Sequence, residues 1–155
     1  MLFRSSNNEL IVMFDESDLT NKLRSEKTAK SASELSALKN TRSNLLGIQR
    51  ALNNELGLIA DGRDMGTVVF PNAGNKFFLT ASAEIRAKRR FLELQNRGQE
   101  VNMRDLIDDI EQRDLADQSR ELSPLLPADD ATVIDTSNMS LEEVFSFTKK
   151  LLKGN

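Results

Sequence analysis

The sequence predicts an α/β protein: a small parallel sheet flanked by helices, preceded by a lobe of short antiparallel strands and two helices. Three observations carry this. From Lys76 onward, short apolar runs alternate with amphipathic helical patterns, the signature of strands joined by helical crossovers. The first fifteen residues instead place two strand-like runs around a turn-like Ser5–Asn8. Finally, 155 residues with 39% hydrophobic content suffice for one small core carrying an inserted lobe. The boundary falls near Leu56, giving a lobe over 1–56 and a core with its lid over 57–155.

Leu2–Arg4 and Glu9–Phe14 form the expected hairpin, closed by Asp15–Asp18, with Leu19–Arg24 as a third short extended piece. From Ser25 to about Ala37 the pattern is helical, with Ala29, Ala32, Leu35 and Leu38 as its buried stripe. Asn40 or Thr41 caps a second helix through Leu45, Ile48, Leu52 and Leu56, and Gly57 stops it. Gly57–Asp61 then reads as a short buried strand, Leu58-Ile59-Ala60, ending in an acid. A second apolar run follows at Val68–Pro71, and Lys76–Thr80 is a strand. Ser82 caps a helix to Arg97, with Gly98 as terminator. Asn102 caps the next, which runs to about Glu121. Pro124 and Pro127 mark a loop, Thr132–Asp135 a strand, and Leu141–Leu152 an amphipathic closing helix. No internal repeat or low-complexity segment interrupts this order.

Composition narrows the chemistry. There is no Cys, so no disulfide and no thiolate metal site, and no His, so no triad and no imidazole ligand. All eight aromatics are Phe, which removes Trp and Tyr stacking platforms. A net charge of −3 lacks the basic bias of a protein that binds many nucleic-acid phosphates. What remains is carboxylates, arginines, backbone amides and a borrowed metal ion, an inventory that suits phosphoryl transfer. No apolar run approaches a membrane span and no export signal opens the chain, so the expected compartment is the cytoplasm.

Three local patterns bear on a site. At Asp61-Gly62-Arg63-Asp64 an expected strand ends in an acid, a glycine lets the backbone turn, and two charged side chains project beyond the strand end. Ligands of open α/β sheets bind there, where Arg forks onto phosphate and Asp holds Mg²⁺ through water. The same four residues also suit a plain turn whose Asp and Arg pair with each other. In the helix after Asn102, the apolar stripe Met103, Leu106, Ile110 continues into Arg113, Asp117 and Arg120. A face that changes from apolar to ionic midway suits a helix whose far end lines a polar cleft, although Arg113–Asp117 alone is equally a solvated i,i+4 pair. Third, Arg86, Lys88, Arg89, Arg90 and Arg97 crowd one helix, by default a solvated face.

Taken together, Asp61–Pro71, Glu84–Arg90 and Glu111–Arg120 resemble the bacterial cytidylate kinase family, and Leu23–Ser25 with the helices bearing Ser33 and Arg42 resembles its inserted monophosphate-binding lobe. The resemblance covers essentially the whole chain. It implies a partial P-loop nucleoside monophosphate kinase fold and phosphoryl transfer from ATP to CMP or dCMP, with Mg²⁺ accompanying ATP. By that resemblance Ser33, Arg42 and Asp64 read the cytosine edge, and Arg63 and Arg120 clamp the monophosphate. Arg113 and Asp117 reach ribose and phosphate, Asp61 lies beside Mg²⁺–ATP, and Arg89 and Arg90 are candidate phosphate or lid contacts. Asp61, Arg63 and Arg113 are the expected catalytic set, with no resident metal site. Ala116 and Gln118 depart from residues often charged in the family.

One family element has no counterpart here: no Gly-x-x-x-x-Gly-Lys run occurs in the 155 residues. In the family's fold the strand before that loop lies between the strands matching 57–61 and 76–80. The expectation is therefore two unpaired sheet edges, an exposed apolar surface, and no productive ATP binding by these residues alone. The alternatives are a catalytically inert nucleotide-binding fragment or a remnant that dimerises through those edges.

Overall fold

Strand β1 (Leu2–Ser6) pairs antiparallel with β2 (Glu9–Phe14) in the register Leu2↔Met13 to Ser6↔Glu9, so the expected hairpin is present. The computed structural model describes residues 2–6, 9–23 and 25–153. These fall into two units, 1–48 and 49–155, divided within the last turn of α3.

In the first unit β2 also pairs with β3 (Ser17–Asp18) through a tight turn at Asp15 and Glu16, both at positive φ (49° and 65°). Positive φ at both central residues is what a two-residue hairpin turn demands, here met without glycine. Thr20–Leu23 is a single helical turn, α1, rather than the extended piece expected at 19–24. Local side-chain bonds decide it: the Asp18 carboxylate accepts the Thr20 amide at 2.8 Å, and the Thr20 hydroxyl accepts the Val12 amide at 2.9 Å. Arg24 lies outside the described residues.

Helix α2 (Glu26–Ser36) starts at the expected place, with the Ser25 hydroxyl accepting the Thr28 amide. Most of its predicted stripe is not buried: Ala32, Leu35 and Leu38 are exposed, and Ala29 is half-buried. Helix α3 runs Lys39–Arg50, earlier at both ends than Asn40 or Thr41 to Leu56. Its end is chemical. The Asn54 side chain accepts the Leu56 amide at 2.9 Å, an Asx turn that competes with helix, and Gly57 takes φ +86°.

The second unit holds a two-stranded parallel sheet, β4 (Phe77–Thr80) and β5 (Thr132–Asp135), in the register Phe77↔Thr132 to Thr80↔Asp135. Between them run α4 (Ala83–Asn96) and α5 (Met103–Gln118), and α6 (Leu141–Lys153) follows. The caps read from sequence are in place: the Ser82 hydroxyl accepts the Ile85 amide, the Asn102 side chain accepts the Arg104 amide, and Gly98 sits at φ +72°. Helix α5 stops at Gln118, short of Glu121, because the Leu125 amide folds back onto the Asp117 carbonyl at 2.9 Å. Val69, Ala87, Leu94 and Ile134 form the buried centre.

One expectation fails outright. Gly57–Asp61 is not a buried strand: it has no regular structure, and Ile59 is 98% exposed. A strand is stabilised by a neighbour's backbone ladder, and among the described residues no strand runs beside it. The Val68–Pro71 run begins inside a five-residue π turn, Met65–Val69.

Candidate functional site

The centre of the site is a carboxylate. On α5 the residues partly or wholly withdrawn from solvent are Met103, Leu106, Ile107, Ile110, Arg113, Asp114 and Asp117, and Arg120 follows just beyond the helix, so the face turns from apolar to ionic as the spacing predicts. Asp117 is fully buried, at 0% exposure, which an acid tolerates only when opposite charge surrounds it. Arg63 and Arg120 each contact one of its oxygens, and Arg113 lies at 4.0 Å. Neither Asp117 oxygen makes an aligned hydrogen bond, so the contacts are ionic. The solvated-pair alternative for Arg113–Asp117 is thereby excluded. Three guanidiniums around one carboxylate leave the cluster positive, which favours a bound anion.

Arg63 reaches this cluster from the Asp61–Asp64 corner. Asp64 is 8% exposed, and its carbonyl accepts the amides of Val68 (2.9 Å) and Val69 (3.2 Å), so it begins the π turn. A Cβ on Gly66 would lie 3.3 Å from the Lys76 side chain, which packs across the turn. Lys76 ends on the Pro71 carbonyl (2.5 Å) and the Asp130 carboxylate (2.7 Å). That contact holds the Asp130 carboxyl below its usual value of 3.8. Asp61 itself is exposed.

The other predicted residues are placed as follows. In the first unit, Ser33 lies on α2 and Arg42 on α3; the Ser36 hydroxyl donates to the Ser33 carbonyl at 2.8 Å, and Arg42 donates to the Ser36 carbonyl at 3.1 Å. The two thus converge on the C-terminal turn of α2, where carbonyls lack helical partners. In the second unit Arg89 is committed to the loop after β5, donating to Thr136 Oγ1 (3.2 Å), the Thr136 carbonyl (2.6 Å) and the Met139 carbonyl (3.3 Å). Arg90 and Arg97 both pair with Glu93. Arg86 forks onto Asp114 of α5 while its Nε donates to the Ala81 carbonyl, so this helix is more than a solvated charged face.

Sequence reasoning missed Arg50 and Lys76. Both act on backbone carbonyls around the π turn, and only the placement of Lys76 at the head of an apolar strand offered a hint.

Comparison with known proteins bears on this geometry. A family model described as Cytidylate kinase matches residues 2–153. The chain is 51% identical over 134 residues to a cytidylate kinase of Caldicellulosiruptor saccharolyticus, covering 86% of this chain and 59% of that protein. It is 48% identical over 142 residues to one of Photobacterium profundum (92% and 62%), and 47% identical over 142 residues to one of Yersinia enterocolitica (92% and 62%).

The chain belongs to the cytidylate kinase family.

It spans about three fifths of the length of these relatives. Its parallel β4–β5 sheet with flanking helices is the α/β architecture of that family in partial form. Among the described residues no three acidic side chains gather into a cation cage, and no helix is long and apolar enough to cross a membrane. Of the two acids of the corner, Asp61 is open to solvent and Asp64 is buried.

Proposed function

We propose that this chain supplies the acceptor side of a transferase that moves the terminal phosphoryl group of ATP onto CMP or dCMP, giving ADP and (d)CDP. The observation that carries the reading is the convergence of Arg63, from the corner, and Arg120, from the end of α5, on the buried Asp117. A nucleoside monophosphate brings a dianion with oxygens that guanidinium forks match. In this reading Arg63 and Arg120 hold the phosphate, Arg113 reaches it, and Asp117 accepts from the ribose hydroxyls. Asp64 reads the cytosine amine with Ser33 and Arg42, these two from a monophosphate-binding lobe over 1–56. Arg89 and Arg90 lie on the helix before the lid. Asp61, Arg63 and Arg113 face the reacting phosphates. Their contribution is positioning and charge neutralisation, which dominate phosphoryl transfer. Mg²⁺, when bound, supplies charge neutralisation between the phosphates. These 155 residues contain no glycine-rich phosphate cradle. Such an enzyme works in the cytoplasm, where its nucleotides are.

Calorimetric titration with CMP tests the reading: saturable one-site binding, lost in Arg63→Ala and Arg120→Ala, is expected, and no binding by the parent chain overturns it. A coupled assay for ADP formation from ATP plus CMP then separates a complete catalyst from an inert acceptor module.

Self-association is favoured by a separate observation, the exposure of Leu79 and Val133 on a sheet of only two strands among the described residues. A mass by light scattering that rises with concentration supports it, and a constant monomer mass removes it.

A further inference from the structure

The π turn that follows Asp64 is a single turn, so its C-terminal carbonyls have no helical partners and need donors from elsewhere. Arg50 provides them. Its Nε donates to the Val69 carbonyl and its Nη2 to the Val68 carbonyl, both at 2.9 Å, across 19 and 18 residues of sequence. Two donors on one rigid plane meeting two consecutive carbonyls is a fit that a lysine, a single point charge on a flexible stem, does not reproduce. At its other end the same turn is closed on Asp64, whose carbonyl accepts the amides of Val68 and Val69. The amides of Val68 and Val69 therefore hold Asp64 while the carbonyls of those residues are held by Arg50. Little slack lies between the two ends. Lys76 braces the opposite side, with its methylenes over Gly66 and its ammonium on the Pro71 carbonyl. Val69, 2% exposed, anchors the turn in the core.

We propose that Arg50 is a positioning residue for the acceptor site: by locking the π turn it sets the direction of Asp64, and hence the discrimination of cytosine from uracil. This rests on the reading of Asp64 as the group that meets the cytosine amine. It adds a residue outside the arginine cluster, acting only through main chain.

The test compares parent, Arg50→Met and Arg50→Lys chains by calorimetric titration with CMP and with UMP, alongside hydrogen exchange of residues 64–70. Arg50→Met is expected to weaken CMP about tenfold, the scale of a lost charge-assisted hydrogen bond, and UMP by less than about twofold. Amide protection at Val68–Phe70 falls with it, and Arg50→Lys recovers less than half of the lost selectivity. Equal weakening of CMP and UMP marks a merely structural role and overturns the proposal, as does a variant with unchanged selectivity and protection. Failure of the parent chain to bind CMP overturns the acceptor-site reading itself, and this inference with it.

Discussion

Two adjacent stretches of this chain respond in opposite ways to the same surroundings. Gly57–Asp61 is apolar and strand-prone, yet it lies open with Ile59 almost wholly in solvent. Arg63–Val69, which follows at once, is rich in charge and glycine, yet it is fixed: Arg63 on Asp117, Asp64 at the head of the π turn, Arg50 on that turn's last carbonyls. The lesson concerns what each kind of residue needs. An apolar strand acquires its structure from a neighbouring ladder and a covering layer. A charged corner is completed by a few discrete partners, and Asp117, Arg50 and Lys76 all lie within 49–155. Local polar order survives where sheet order does not.

The comparison is broken most severely at Asp117. Replacing it with Asn leaves three guanidiniums facing one another; removing one partner of a buried pair typically costs 3–5 kcal/mol, and because Arg63 and Arg113 are 38% and 40% exposed and can turn to water, about 2–3 is expected here. Urea denaturation measures this, and a change under about 0.5 kcal/mol would mean that the cluster does not hold the corner.

Lys76→Met is expected to have a smaller effect, about 1 kcal/mol from the lost bond to the Pro71 carbonyl. Its pH dependence has a definite sign. The Lys76 hydrogen bond lowers the Asp130 pKa in the folded chain, so the carboxylate's stabilising share is fully present above its ordinary 3.8 and is lost as pH falls through the lowered value. Thermal melts of parent and variant should therefore differ most at neutral pH, and below about pH 4 the gap should narrow to the share from the Pro71 carbonyl. A gap that closed between pH 5 and 7 would assign it to some other group.

On the apolar side the expected effects shrink. Gly57→Ala places a side chain at φ +86° and should cost about 0.5–1 kcal/mol, the loop relaxing part of the strain. Ile59→Thr is expected to change stability by less than about 0.5 kcal/mol, since the side chain is already in water. A loss of about 2 kcal/mol at Ile59 would show that the segment is buried in solution and that the contrast between the two stretches is false.

The same contrast explains what was legible in the sequence. Helices α4 and α5 and strand β5 were readable because their ends carry local chemistry: Ser82, Asn102 and Gly98 act on residues beside them. The run of Arg113, Asp117 and Arg120 was readable because helical spacing alone puts them on one face. At 57–61 and on the stripe of α2, composition reported a preference for burial, whereas burial depends on a covering layer that a single segment does not encode. Residues 20–23 and the start of α3 turned on side-chain bonds of Thr20 and on one or two residues at a helix end. Arg50 and Lys76 escaped notice for another reason. Both act on main-chain carbonyls, which every residue carries, and the side-chain partner of Lys76, Asp130, lies 54 residues away, so no local pattern announces the pairing.

The corner and the end of α5 are claimed to form one anion site organised by Asp117, and the phosphate's own share of binding tests this most directly. Affinities of the parent chain for CMP and for cytidine should differ by roughly a hundredfold or more, and the difference should collapse in Arg63→Ala. Equal affinities for the two, or a difference indifferent to Arg63, would contradict the account.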